Sequence, residues 1–247
     1  MNAKSHRINH EPAFLLSASP WRESSLWLEM FSRRYGRVAL LGRSARKAQS
    51  ELRGVLVPFV PVSASWYGSG ELKTLHRAEW IGGWPQPQGR SLFSGLYLNE
   101  LVLKLTARED PHPGIYDALL EAMGAVCRQG NHIAALRLFE WRLLNELGLA
   151  PDLARDADGS AIEADKKYRL APQQAVQAVG AADNVAEGQS VLVDGATLAA
   201  LRQGRFDSGE ALQQALQLNR LLLDFHLPQG IQSRRILQQM QAFQTAI

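Results

Sequence analysis

Leu26-Trp27-Leu28-Glu29-Met30-Phe31-Ser32-Arg33-Arg34-Tyr35-Gly36-Arg37-Val38-Ala39-Leu40-Leu41-Gly42 decides the fold of the first third of the chain. Leu26, Leu28 and Met30 alternate with Trp27, Glu29 and Phe31, the two-residue period of a strand. Arg33-Arg34-Tyr35-Gly36 interrupts the alternation, and Gly36 can take the positive φ of a hairpin turn. Val38 and Leu40 resume it as a second strand.

Outward from this hairpin the pattern stays β. Phe14 to Ala18 is a short apolar run. Val55 to Tyr67 is β-branched and aromatic, broken by Pro58 and Pro61, which suits an edge or a bulge. Gly68-Ser69-Gly70 marks a turn, and Leu72 to Ile81 alternates again. Ala45 to Arg53 has room for a short helix. Five strands and one small helix are the parts of an OB barrel, although an SH3-like barrel has a similar set. Met1 to Pro12 is polar, reads as a short tail, and has no apolar segment of the secretory kind.

Gly82-Gly83-Trp84-Pro85-Gln86-Pro87 is the first clear boundary, and beyond it the period becomes helical. Ser91 is placed to cap a helix over Leu92 to Arg108, with Glu100 and Lys104 as an i,i+4 pair. Pro111 and Pro113 stop it and open the next, whose stripe Ile115, Leu119, Met123 and Val126 ends near Gly130. Asn131 caps a third helix over Ile133 to Leu147, with Gly148 at its end. Pro151 to Ser190 is rich in Asp, Ala, Gln and Gly, with one strand-like segment at Lys167 to Leu170. Asp194 then caps Thr197 to Gln203, Ser208 starts a helix that Pro228 ends, and Ile231 to Phe243 has the pattern of a last one. The expected organisation is α+β and multidomain. It has a barrel over residues 1–81, helices over 82–149, an irregular subdomain over 150–193 and more helices over 194–247.

The chemistry-bearing patterns are mostly missing. The chain has no phosphate-binding Gly-x-x-x-x-Gly-Lys, no His-Glu-x-x-His and no Gly-x-Ser-x-Gly, so no site for covalent catalysis is expected. Its six histidines are scattered. The lone Cys127 excludes an intramolecular disulfide framework and suits a reducing cytoplasm. Asp156, Asp158, Gly159 and Asp165 have part of the spacing of a calcium loop, but the bidentate Glu is missing, which leaves a solvated turn. No apolar run reaches the length of a membrane helix.

Charge is the strongest signal. Residues 1–80 hold 12 Lys and Arg against 6 Asp and Glu, whereas the remainder holds 15 against 18. Arg33, Arg34, Arg37, Arg43, Arg46, Lys47 and Arg53 fall within 21 residues opposed only by Glu51. Lys73 and Arg77 lie four apart on the last strand. Guanidinium groups contact phosphate in two places and stack on bases, so this run points to a polyanion partner gathered on one side of the barrel. Tyr35 and Trp66 are the candidate stacking rings, with burial in the barrel as their alternative role. In the helical part, Arg137 and Arg142 stand beside Leu136 and Phe139, a pattern that suits an acidic peptide with an apolar end. Alternatively, Arg137 pairs with Glu140 or Glu121 on the surface.

An ordered set of segments carries a family resemblance. It includes Trp21-Arg22-Glu23-Ser24-Ser25-Leu26, Gly36-Arg37-Val38-Ala39-Leu40 and Gly68-x-Gly70-Glu71-Leu72-Lys73-Thr74-Leu75. Further on come Ser94-Gly95-Leu96-Tyr97-Leu98-Asn99-Glu100-Leu101, Arg108-Glu109-Asp110-Pro111-His112-Pro113, Leu136-x-x-Phe139-Glu140 and Ser233-Arg234-x-Ile236-Leu237. Together they resemble the RecO family of bacterial recombination mediators. The resemblance implies an amino-terminal OB barrel followed by a helical domain, and a nucleoid-associated cytoplasmic protein without a cofactor. It implies binding to single- and double-stranded DNA, annealing of complementary strands, and help to RecA in loading on DNA covered by single-strand-binding protein (SSB), together with RecR. The acidic SSB tail is then expected to dock on the helical domain at Arg137, Leu136, Phe139 and Arg142. Many relatives bind structural zinc through four cysteines after the Leu-Gly that here is Leu147-Gly148. This chain has none there, so no metal is expected. The alternative is a protein-interaction adaptor whose basic barrel binds an acidic protein.

Overall fold

The strand that opens the chain is long and twice bulged. β1 (Arg7–Trp21) shifts register between Ile8 and Glu11 and again between Leu15 and Ser17, with His10 at φ 52°. Each bulge bends the strand, so one segment pairs with β2 (Ser25–Ser32) along its later half and with β4 (Pro61–Tyr67) along its earlier half. β3 (Gly36–Gly42), α1 (Leu52–Val55) and β5 (Leu72–Trp80) complete a closed barrel in the order β1-β2-β3-β5-β4. This is the OB-fold barrel expected from the alternation. Every neighbouring pair is antiparallel except β3 and β5, which run parallel through Ala39–Leu41 alone. Leu28, Met30, Val38, Leu40, Val62 and Trp66 fill the interior with the other inward positions.

The computed structural model describes residues 7–128, 132–180 and 190–245. They fall into two units, one from the start to Gly130 together with the segment from Ile231, the other Asn131–Gly230. The change from strand to helix at Gly82 therefore lies inside the first unit. In that unit α2 (Arg90–Leu105) and α3 (Pro113–Cys127) pack on each other, and α7 (Gln232–Thr245) packs on α2. The Glu100 carboxylate accepts from the Lys104 ammonium at 2.7 Å, as the i,i+4 spacing suggests. It also accepts from the backbone N–H groups of Gln232 (2.7 Å) and Ser233 (2.8 Å), the first residues of α7. Burial alone would raise its pKa, but these donors together hold it below the usual carboxylate value.

Three local expectations change. Arg7 to Pro12 is strand and not tail, because β1 needs that length to reach β4; Met1 to His6 lie outside the described residues. The helix foreseen over Ala45 to Arg53 shrinks to α1, preceded by turns. Val55 to Val60 is not strand. Phe59 takes φ 75° and turns its ring onto α2, where a Cβ at Gly95 would lie 2.9 Å from it. Its carbonyl accepts from the Trp84 indole N–H at 2.9 Å. In addition, α2 starts at Arg90 with Gly89 at its N-cap, so Ser91 is already helical.

The second unit holds α4 (Ile133–Glu146), β6 (Lys167–Leu170), β7 (Gln177–Ala178), β8 (Val191–Asp194), α5 (Gly195–Gln203) and α6 (Gly209–His226). α4 packs on α6, and β7-β6-β8 form a small sheet of which only β6 was legible beforehand. Ser208 caps α6, its hydroxyl accepting from Ala211 N–H at 3.1 Å. Gly148 at φ 67° closes α4 as expected; Asn131, the expected cap at the other end, lies outside the described residues. The Asp156 carboxylate accepts from the N–H groups of Asp158 (3.1 Å) and Ser160 (2.8 Å), so it serves the turn itself. None of the described helices is long and apolar enough to cross a membrane.

Gly36 is required twice over. Its φ is +64°, and a Cβ there would sit 2.1 Å from the Asp110 carbonyl oxygen. Gly36→Ala is expected to cost about 3 kcal/mol or more in urea unfolding. Gly54→Ala, in α1 with nothing within 4 Å, should be neutral or slightly stabilising.

Candidate nucleic-acid interface

The basic cluster divides into two sets at opposite ends of the barrel. The β2–β3 turn carries Arg33, Arg34 and Tyr35, while the residues after β3 lie beside the β1–β2 turn. β3 itself, seven residues long, separates them by about 20 Å. The expected gathering of all these cations on one side is therefore corrected: a hairpin puts its tip and its open end apart.

At the tip the cations are engaged. Arg33 grips Asp117 through Nε and Nη2, both at 2.9 Å. Arg34 Nε donates to the fully buried Glu11 at 2.6 Å. Lys73 pairs with Glu109, and Arg77 with Glu79. Arg37 Nη1 donates to Glu29 at 3.1 Å while Nε and Nη2 hold the Thr106 carbonyl at 3.2 and 2.9 Å. Glu29, only 6% exposed, also accepts from Arg108 and, at 3.1 Å, from the Trp27 indole N–H. Burial would raise the Glu29 carboxyl, but the Arg108 and Trp27 donors outweigh it and set its pKa below the usual value. Five of the nine predicted cationic DNA contacts are thus held in ion pairs in this arrangement. The segment after α2 also runs beside the start of β3, with Glu109 N–H donating to the Arg37 carbonyl at 2.8 Å.

Trp66 is corrected as well. It is 1% exposed and packed in the barrel, with Tyr35 half-buried against it at 5.6 Å between ring centres. An inward position on β4 takes the largest available apolar side chain, which leaves no face for a base lying on the outer surface.

The open end is different. Arg43, Arg46, Lys47 and Arg53 are exposed and, among the described residues, have no carboxylate partner. Arg46 lies against the β1–β2 turn. Its backbone N–H donates to Ser24 at 2.9 Å and its Nη1 reaches the carbonyls of Arg22 (3.4 Å) and Glu23 (3.3 Å). Arg22, exposed at φ 51°, has no signal in the sequence pattern, and the exposed ring at this end is Trp21 (37%), a strand-end aromatic that the sequence ranks behind Tyr35 and Trp66. Trp21 stacks obliquely on Trp27 at 5.3 Å, and the Arg108 guanidinium lies 5.7 Å over Trp27. Trp80, 56% exposed at the end of β5, donates its indole N–H to the Val55 carbonyl of α1 at 2.9 Å. Exposed indoles beside unpaired cations are the combination that single-strand binders use. The signal available beforehand was the position of Trp21 and Trp80 at strand ends.

In the second unit, Arg137, Leu136 and Phe139 do not form an open receptor. Arg137 is 7% exposed and its Nη2 donates to the buried Glu140 at 2.6 Å. Asn219 from α6 donates to the Arg137 carbonyl (2.9 Å) and to Glu140 (3.0 Å). The pairing with Glu140 that composition allowed is present, but in the interior. Leu136 and Phe139 are buried beside it. Arg142 is exposed and lines a cleft of 240 Å³ with Trp141, Asn145, Arg202 and Gly204.

Residues 149–193 contain neither Cys nor His, so the zinc cage that the resemblance implies for many relatives does not fit this chain. Cys127 is buried in α3, its thiol pushed up to about 11 by burial, which keeps it protonated and unreactive.

A closed five-stranded barrel followed by helices is the architecture of an OB-fold protein with a helical extension. Residues 7–84 match the family model "Recombination protein O N terminal", and residues 86–235 match "Recombination protein O C terminal". The chain is 65% identical over 239 residues to the DNA repair protein RecO of Neisseria meningitidis serogroup C, covering 96% of this chain and 91% of that protein. It is 64% identical over 242 residues to RecO of Neisseria gonorrhoeae strain NCCP11945 (96% and 97%) and 39% over 237 residues to RecO of Chromobacterium violaceum (96% and 97%). The chain belongs to the RecO family of DNA repair proteins.

Two outcomes follow from the buried ion pairs. The folded pKa of Glu29 is depressed below its ordinary 4.5, so its stabilising contribution is present above that value and is lost as pH falls through the folded value. Urea unfolding of the natural protein should weaken more steeply below about pH 4.5 than that of Glu29→Gln. For Arg137→Met, which leaves Glu140 buried and unpaired, a loss of about 3 kcal/mol is expected in the same assay. An unchanged midpoint would return Arg137 to the surface.

Proposed function

We propose that the chain is a DNA-binding recombination mediator. It binds single- and double-stranded DNA at the open end of the barrel, anneals complementary strands, and assists RecA loading on SSB-coated DNA together with RecR. The observation that carries this is the exposed set Arg43, Arg46, Lys47 and Arg53, with exposed Trp21 next to the turn that Arg46 contacts and exposed Trp80 against α1. Cations without carboxylate partners exchange their counterions for phosphate at little cost, whereas Arg33, Arg37, Lys73 and Arg77 must first give up a carboxylate and Arg34 keeps its Nε on Glu11. Two strands held on one positive surface repel less, and their bases can meet. The indoles offer sequence-tolerant stacking to unpaired bases.

For the SSB tail, the supporting feature is the Arg142 cleft, where Arg202 adds a second cation beside Trp141 and Leu201. Acidic residues and an apolar chain end match that lining. Arg142→Glu is expected to weaken capture of an SSB-tail peptide and to leave bare-DNA affinity unchanged.

The deciding measurement is the affinity for a single-stranded oligonucleotide against salt. Four phosphate contacts predict a log–log slope of roughly −3, from about −0.7 per phosphate. Replacing Arg43 and Lys47 by Gln should flatten it by roughly 1.4. Trp21→Ala should cost about 1–3 kcal/mol of affinity with the slope unchanged. A slope near zero, or full competition by an acidic protein with none by DNA, would refute the reading. Annealing of SSB-coated complementary oligonucleotides with and without the protein tests the mediator step.

A further inference from the structure

The barrel has a second opening that the interface above does not use. β3 and β5 pair only at Ala39–Leu41, where β5 starts, so the first residues of β3 have no β5 partner. The gap holds a cavity of 300 Å³ lined by Ile8, Tyr35, Val38 and Trp66 within and by Lys73 and Glu109 at the mouth. Its volume is at the lower limit of small-ligand sites, which are likewise apolar with a few placed polar groups.

The mouth is more specific than the interior. The Lys73 ammonium, which also donates to the Gly70 carbonyl at 3.1 Å, stands against the Glu109 carboxylate. A fixed donor thus lies beside a two-oxygen acceptor. The Glu109 side chain is 58% exposed, so its carboxylate can also receive donors from a ligand. Arg34 is at the same rim, Nε held by Glu11 and its guanidinium 5.9 Å over the Tyr35 ring. Among the described residues no partner engages the two terminal nitrogens of Arg34, and its side chain is 61% exposed.

We infer that this mouth is a pocket for one guanine base extruded from single-stranded DNA. Guanine presents a carbonyl oxygen next to two N–H donors on its pairing edge. Lys73 donates to the carbonyl, Glu109 accepts from both N–H groups, and the terminal nitrogens of Arg34 take the adjoining phosphate. Adenine sets an acceptor against the carboxylate, and hypoxanthine lacks the exocyclic amine. The charge at the mouth is balanced by Glu109 and Glu11, so the pocket selects by hydrogen-bond pattern and the bulk of the affinity stays with the open-end cations. The inference rests on the reading that the chain binds DNA.

The test measures anisotropy of the full-length protein with labelled oligo(dT) carrying one central guanine, inosine or adenine, all at one salt concentration. The guanine strand is expected to bind roughly fivefold or more tightly than the other two. Glu109→Gln should bring guanine down to the level of inosine, compared within the variant because the freed Lys73 raises affinity for all strands, plain oligo(dT) included. Equal affinities for the three strands would overturn the pocket while leaving DNA binding in place, as would a guanine preference that survives Glu109→Gln. Failure of every strand to bind would overturn both.

Discussion

The Glu29 carboxylate holds the first unit together. It lies on the outer face of β2, nearly removed from water, and is approached by Arg37 from β3, Arg108 from beyond α2 and the indole of Trp27. A carboxylate in such a place is tolerable only when its lone pairs are filled. Arg37 in turn grips the Thr106 carbonyl. The barrel and the start of the helical part are therefore tied by one charge network, not by apolar packing alone. Below it, Phe14 and Phe31 meet Tyr116 of α3 at 5.5 and 6.3 Å between ring centres, the apolar half of the same junction.

That junction decides which barrel surfaces remain for a ligand. The face of strands 2 and 3 is the usual nucleic-acid surface of an OB barrel. Here part of it is occupied by the chain's own Arg108 and Glu109. Apart from the pocket at Lys73 and Glu109, what stays open is the end with the β1–β2 turn, the loop after β3 and α1. Positive φ at Arg22 and Ser44 marks both loops as tightly turned. The loop after β3 is pinned to the β1–β2 turn through Arg46 and Ser44, so its cations are carried by a braced loop.

Much of the barrel could be read in advance because alternation reports directly on which face is buried. The hairpin around Gly36 and the strand at Leu72–Trp80 fall where the pattern puts them. The start of β1 escaped notice because Arg7 to Pro12 is polar on a strand that is half outside the core. β7 was hidden because it is two residues long in an Ala- and Gln-rich stretch, and β8 because its four residues, though mostly apolar, find their partner β6 across that stretch. The site was less legible than the fold. Residue type identifies a cation, but only three-dimensional neighbours show whether it is already spoken for. Arg33 finds Asp117 from 84 positions away, and no spacing rule reveals that. Arg137 shows the same limit, since its i,i+3 partner was visible but its burial beneath α6 was not.

The turn at Asp156 has a wider consequence. The segment after Leu147-Gly148, for which the resemblance implies a thiolate clamp in many relatives, is fastened here by a carboxylate receiving backbone N–H groups and by strand pairing around the buried Tyr168. Neither fastening can be stripped by a chelator or oxidised to a sulfenate. That part of the fold is therefore independent of metal supply and of thiol oxidation, both of which take a thiolate cage apart.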